Sequence, residues 1–235
     1  MVYLIYAIGD LHLDYTKNKA MDIFGQNWIN HEEKIFKNWL EIVKEDDLVL
    51  LPGDISWALK LDEAYKDLKR INELPGHKII SKGNHDYWWQ GPKKLKSLGL
   101  DKISFIQNNS FIYNNSVNNS VAIFGTRGWL SRDWDGFTEK DEKIFNRELN
   151  RLKLSLTSLS QDVEIKIAML HYPPFNTDSS PNEFVDLLAE HKIDICVYGH
   201  LHAEGHRFVV EEEIAGIKFY CVSCDYIDFK PRKIL

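Results

Sequence analysis

Lys82-Gly83-Asn84-His85-Asp86 follows directly on the run His77-Lys78-Ile79-Ile80-Ser81 and brings an amide, an imidazole and a carboxylate to one turn. The run is short and β-branched, starts after the turn signal Pro75-Gly76 and is bounded by Gly83, so it reads as a buried strand. Glycine lets the backbone turn sharply at the carboxyl end of that strand, the edge where open α/β sheets place ligands. Asn84, His85 and Asp86 therefore read as a site. Alone the string has a plainer reading, since Asn and Asp in turns hydrogen-bond their own backbone. What decides between the two is how the other strands end.

Upstream, Tyr3 to Ile8 reads as a strand delivering Asp10, Leu11 and His12. Asp47 to Leu51 is nearly all apolar, as strands buried on both faces are, and ends at Pro52-Gly53-Asp54. Between them, Asn30 with Glu33 has the form of a capping box. Ile35, Phe36, Trp39, Leu40, Ile42 and Val43 then make a wide apolar stripe, which predicts a helix covering a sheet with Trp39 in the core. Leu61 to Leu74 predicts a second helix. Strand, helix, strand, helix, strand in this rhythm implies parallel βαβ units with right-handed crossovers.

Downstream the rhythm changes. Ser104 to Tyr113 and Val121 to Gly125 read as strands separated by Asn114-Asn115-Ser116 and Asn118-Asn119-Ser120, hairpin or meander chemistry that predicts a second sheet or an antiparallel edge. Thr126 to Phe137 reads as a loop. Thr138 and Asp141 start a helix with Phe145, Leu149, Leu152, Leu156 and Leu159 along one stripe. Ile165 to Leu170 predicts a strand ending at His171-Tyr172, and Ser180-Pro181 with Glu183 predicts a helix with Pro at its first position. Ile193 to Val197 leads to Gly199-His200-Leu201-His202, and Arg207 to Ile214 with Lys218 to Val222 predicts a closing hairpin. With no repeat, low-complexity tract or Pro/Gly linker, residues 1–235 are expected to form one domain.

Composition narrows the function classes. The chain has 235 residues, 44% of them hydrophobic, which is ordinary for a soluble globular protein. No run is long enough to cross a bilayer, and the apolar start runs at once into Gly9-Asp10 without a basic lead, so a cytoplasmic protein is expected. Three cysteines argue against a disulfide framework. Cys221 and Cys224 form C-x-x-C, but residues three apart in a strand face opposite sides, and no helix start follows to activate a thiol. A formal charge of −6 disfavours extended nucleic-acid binding, which needs clustered cations.

Five predicted strands thus end in metal-ligand chemistry: Asp10 with His12, Asp54, Asn84-His85-Asp86, His171, and His200 with His202. At one edge of a parallel-type sheet they would converge, and burying so many polar groups is costly unless cations compensate them. Oxygen and imidazole donors without thiolate suit Mn, Fe, Zn, Co or Ni, divalent or mixed-valence. The ligands are too many for one tetrahedral ion, which implies two ions, with Asp54 the natural bridging carboxylate.

Asp10-x-His12, Gly53-Asp54, Gly83-Asn84-His85-Asp86, His171 and Gly199-His200-x-His202, in that order, resemble the calcineurin-like metallophosphoesterase superfamily, and the resemblance spans Asp10 to His202. It implies an α/β fold of two stacked mixed sheets flanked by helices. It further implies one metal on Asp10, His12, Asp54 and His202 and another on Asp54, Asn84, His171 and His200. His85 is implied as an acid facing the substrate, oriented by Asp86. The implied reaction is hydrolysis of a phosphomonoester or phosphodiester by a water shared between two cations roughly 3.5–4 Å apart. A small phosphorylated substrate is the expected partner, with Arg127 as a candidate phosphate donor against the plainer reading of a surface salt bridge. Trp57, Tyr87, Trp88, Trp89 and Tyr172 lie near the ligands and are read either as core or as a wall that stacks a nucleobase or aryl group. A catalytically silent scaffold of the same fold is the alternative, and the intact motif set speaks against it. A metallo-β-lactamase-like hydrolase is disfavoured, because its H-x-H comes early in the chain and here it comes last.

Overall fold

Alternate residues of the apolar strands fall into different cores. In the computed structural model, which describes residues 4–16, 19–114 and 120–235, strand β2 (Leu48–Pro52) is buried along its whole length. Its Leu48 and Leu50 pack with Ile5, Ala7 and Ile79 against Ile123, Ile167 and Val197. Val49 and Leu51 point the other way and join Ile35, Trp39, Leu68 and Ile71. A period of two with both faces buried puts this strand inside a layered sandwich.

The first sheet contains β1 (Ile5–Ala7), β2, β3 (His77–Ser81), β4 (Ile103–Phe105) and β11 (Arg232–Lys233) in the order β11-β1-β2-β3-β4. β1 to β4 are parallel and β11 is antiparallel to β1. The second contains β5 (Phe111–Asn114), β6 (Ser120–Thr126), β7 (Ile165–Leu170), β8 (Ile195–Tyr198), β9 (Glu213–Ile214) and β10 (Ile217–Cys221) in the order β5-β6-β7-β8-β10-β9. Its inner four strands are parallel and its two edges antiparallel. Helices α1 (His31–Ile42) and α2 (Leu61–Glu73) cover the outer face of the first sheet. The short α3 (Pro92–Lys96) precedes β4, and α4 (Glu139–Thr157) and α5 (Glu183–Glu190) cover the second. Two stacked mixed sheets flanked by helices is the architecture the motifs imply. Tyr3, and most of the Asn/Ser turn between β5 and β6, lie outside the described residues.

Several local expectations change. Asn30 stands at φ 55° with no capping bond from its side chain, so the Asn30–Glu33 box does not form; a cap needs extended backbone. Instead Glu32 turns back to accept from Asp14 N at 2.8 Å. Pro181 lies outside α5, whose cap is Asn182, accepting from Phe184 N at 3.0 Å. Ser104 to Tyr113 is two strands in different sheets, divided where Asn109 Oδ1 accepts from Gln107 N and Asn108 takes φ 64°. Arg207 to Ile214 is mostly not strand, because Ala203–Phe208 coils into 3-10 turns. Helix α4 opens as read: Thr138 accepts from Asp141 N and Asp141 accepts in return from Thr138 N. Cys221 joins the core beneath α4 and α5, and Cys224 the core beneath α1 and α2. Among the described residues, no helix is long and apolar enough to cross a membrane.

Candidate metal centre

The loops that follow β1 and β2 run side by side, with Asp10 N donating to Gly53 O, His12 N to Asp54 O and Leu13 N to Ile55 O, each at 3.0 Å. The loop after β3 is fastened to them by Asp86. This carboxylate is fully buried and accepts from Asp54 N, Ile55 N, Gly83 N and Trp88 Nε1 at 2.8–3.0 Å. His85 N in turn donates to Asp54 Oδ1 at 2.8 Å. From the second sheet, His171 N donates to Arg127 O, Gly199 N to His171 O, and His200 N to Asp10 Oδ2 at 3.0 Å. One edge of each sheet is thereby brought together.

Glycine is required where these loops meet. A Cβ on Gly83 would stand 2.1 Å from Asp54 Oδ1, and one on Gly199 2.3 Å from Asp10 Oδ2. Both carboxylates are cradled against bare backbone.

The ligand-type side chains gather in two groups, Asp10 with His12 and His202, and Asp10 with Asp54 and His171, whose ligand atoms lie within 4.8 Å of one another. Asp54 Oδ2 is 3.8 Å from His12 Nε2 and 3.5 Å from His171 Nε2. One oxygen therefore faces a histidine of each expected set, the placement a bridging ligand needs. Asn84 Oδ1 is 2.6 Å from His171 Nε2, and His200 Nδ1 is 3.2 Å from the same atom. All seven expected ligands are in this cluster.

The donor chemistry fits cations. Burial, the largest cause, holds the imidazoles of His12, His171 and His200 well below their usual pKa, so they are neutral at pH 7, the form in which an imidazole can bind a metal. His171 Nδ1 is 3.0 Å from Pro52 O and donates to it in the neutral ring, which leaves Nε2 a bare acceptor. That nitrogen faces the oxygens of Asn84 and Asp54, an arrangement of lone pairs that a cation relieves. His202 binds Asp225 Oδ1 through Nδ1 at 2.7 Å, while its Nε2, 3.6 Å from Asp10 Oδ1, has no hydrogen bond. Burial lowers its pKa, but Asp10 and Asp225 outweigh burial and hold it at about 10. Without a cation, His202 takes a proton in the place of positive charge. Asp54 is raised well above the usual carboxyl value by burial and then by the charges of Asp86 and Asp10, a repulsion that cations would cancel.

Two expectations are corrected. Asp86 does not orient His85: its oxygens take the donors named above, and His85 Nδ1 is buried without a partner. The ring of His85 packs instead on Trp57, 4.5 Å between centroids. Arg127 is neither free nor a surface salt bridge; it pairs with the buried Glu148 at 3.2 Å and lies 4.3 Å from the Trp129 ring, and its carbonyl holds His171 N. His31 is buried 3.3 Å from His12 O. Among the aromatics, Trp88 and Trp89 are core, Tyr87 is exposed, Trp57 stacks on His12, and Tyr172 packs at a tilt against His200. Asp225 and Glu148 were not legible as site residues. Asp225 follows Cys224 at the end of β10, whose parallel pairing with β8 the hairpin reading hid.

Comparison with known proteins agrees with this architecture. A protein of Methanocaldococcus jannaschii, described as uncharacterized, is 22% identical over 177 residues, 74% of this chain and 87% of its own. The crystal structure of phosphopantetheinyl hydrolase from Mycobacterium tuberculosis superposes with a TM-score of 0.61 at 14% identity, covering 100% of this chain and 96% of that one. A Thermus thermophilus protein gives 0.59 at 12% identity, covering 100% and 99%. At such identities these likenesses concern the fold alone. Residues 3–204 match the calcineurin-like phosphoesterase family, and the chain belongs to it.

Proposed function

We propose that the chain hydrolyses the ester bond of a small phosphomonoester or phosphodiester, with one cation on Asp10, His12, Asp54 and His202 and a second on Asp54, Asn84, His171 and His200. The observation that carries this reading is the convergence of ligand-type atoms: Asp54 Oδ2 lies 3.8 Å from His12 Nε2 on one side and 3.5 Å from His171 Nε2 on the other, and Asn84 Oδ1 lies 2.6 Å from that same His171 nitrogen. Bound cations would supply charge neutralisation at the phosphoryl oxygens and a lowered pKa for the attacking water. The chain's own work is to hold these donors in place and to manage the leaving proton.

Asp86 does the first by fixing the β2 and β3 loops to each other. His85 does the second. Its imidazole stands beside the cluster, 5.8 Å from the His12 ring between centroids, with one nitrogen unpartnered. Burial, the largest cause, lowers its pKa from the usual histidine value, while Asp10 pulls the other way. An anionic substrate adds to the pull of Asp10 and favours the acid form when the departing oxygen needs a proton.

Turnover of p-nitrophenyl phosphate and bis-p-nitrophenyl phosphate with Mn²⁺ tests the reading. No hydrolysis by metal-loaded protein would favour the silent scaffold. His85→Ala should slow an alkyl ester by about 10²–10⁴ and a p-nitrophenyl ester much less, because nitrophenolate leaves without a proton. Equal losses on both, or a fall in metal content, would remove the acid role.

A further inference from the structure

Beside the ligands lies a cavity of about 390 Å³ whose walls include His200 and His202. Six of its lining residues are aromatic: Phe24, Trp129, Trp134, Tyr172, Phe175 and Phe208. They come from the 3-10 turn Met21–Phe24, from the loop after β6, and from the segments after β7 and β8. The Tyr172 ring is 4.0 Å from that of His200 and 5.2 Å from that of Trp129, so the aromatic wall continues directly into the ligand histidines. No Asp, Glu, Lys or Arg is among the described residues that line it.

We propose that this cavity holds the organic group of the substrate and that the group is a planar, uncharged aromatic ring, an assignment that rests on the phosphoesterase reading above. A phosphorus atom at the ligand cluster has its ester substituent only one or two bonds away, so the cavity that shares the wall of His200 and His202 is within reach of that substituent. A second phosphate, or the polar flanks of a phosphopeptide, would find no Lys or Arg among the described residues there. An alkyl chain would meet few aliphatic side chains, Leu130 and Leu201 being the branched ones. Ring faces suit another ring, which prefers offset or edge-to-face neighbours. Two of the side chains that could read a ring's edge are already engaged: Asn176 donates to Ser180 Oγ and Pro181 O, and Thr177 to Asp133. The ring is therefore gripped by its faces. Trp134 and Phe24, 45% and 48% exposed, form the rim that ligand binding would cover.

The test is calorimetric binding of phosphonates, which carry the phosphoryl group without a cleavable ester, to the Mn²⁺-loaded chain. Phenylphosphonate and 1-naphthylphosphonate should bind about tenfold or more tightly than ethylphosphonate, the scale of base–aromatic stacking, and hexylphosphonate should not match them. Trp134→Ala, at a half-exposed position away from the ligands, should erase most of the aryl advantage and leave ethylphosphonate binding unchanged; Phe24→Ala should reduce it. Equal binding of ethyl and phenyl compounds, hexyl binding as tight as phenyl, or no effect of either substitution overturns the assignment and leaves the phosphoesterase reading standing. Failure of every phosphonate to bind overturns both.

Discussion

Four of the proposed ligand residues hold backbone that side chains normally avoid: Asp10, His12, Asp54 and His200 have φ of 58°, 45°, 52° and 74°. Each such residue costs about 1–3 kcal/mol and persists only when its surroundings over-determine it. Here the surroundings are the loop-to-loop hydrogen bonds and the bare glycines. Gly83→Ala should therefore push Asp54 aside, lowering Mn²⁺ content and costing about 1–3 kcal/mol in urea unfolding; a fully loaded, equally stable variant would contradict the cradle. Asp225 acts one step further out by fixing the ring of His202, and partners of this kind change metal affinity by about 10–100-fold. Asp225→Asn should weaken Mn²⁺ binding by that order in a chelator competition while the fold, read by circular dichroism, is unchanged. Asp225 escaped a reading of the sequence because a lone carboxylate 23 residues from its partner carries no local signal. Asn84, His85 and Asp86 were legible as a group, but which of them turns toward metal, substrate or backbone depends on loop geometry that spacing does not encode.

Elements were legible where local chemistry and tertiary packing agree. Helix α4 opens at Thr138 because its cap is complete in itself, whereas α1 follows a left-handed Asn30 whose side chain caps nothing, and its first-turn Glu32 accepts from Asp14 N and Arg70 instead. The strand β3 carries a feature its pattern conceals. Lys78 is fully buried and its ammonium donates to Leu74 O at 2.6 Å and Gly76 O at 2.7 Å, closing the turn between α2 and β3. Burial, the largest cause, lowers its pKa from 10.5 to about 8. The folded chain thus releases this proton near pH 8 and the unfolded chain near pH 10.5, so between those values the unfolded state binds more protons. Stability then rises with pH in that window. Urea unfolding of chelator-treated protein should show wild type gaining on Lys78→Met from pH 8 to pH 10; a difference independent of pH would refute it.

At the scale of the whole molecule, two sheets present their strand ends to one another, and the chain crosses between them to do so. Gly9 pairs with Ser223, its N–H donating to Val222 O at 2.6 Å and its carbonyl accepting from Cys224 N. This seam joins the end of β1 to that of β10. The convergence of five strand ends was legible because parallel βαβ units put every carboxyl end on one side. That the strands after β4 form a second, stacked sheet and not an antiparallel edge was legible only through the motif resemblance, since nothing local in the β4 to β6 region says which sheet a strand joins.

The account stands or falls on whether Asp54 unites two cations. Elemental analysis of purified chain after Mn²⁺ loading and gel filtration measures this directly. Two ions per wild-type chain and one or none in Asp54→Asn is the predicted result; fewer than two in wild type, with the same content in Asp54→Asn, would contradict it.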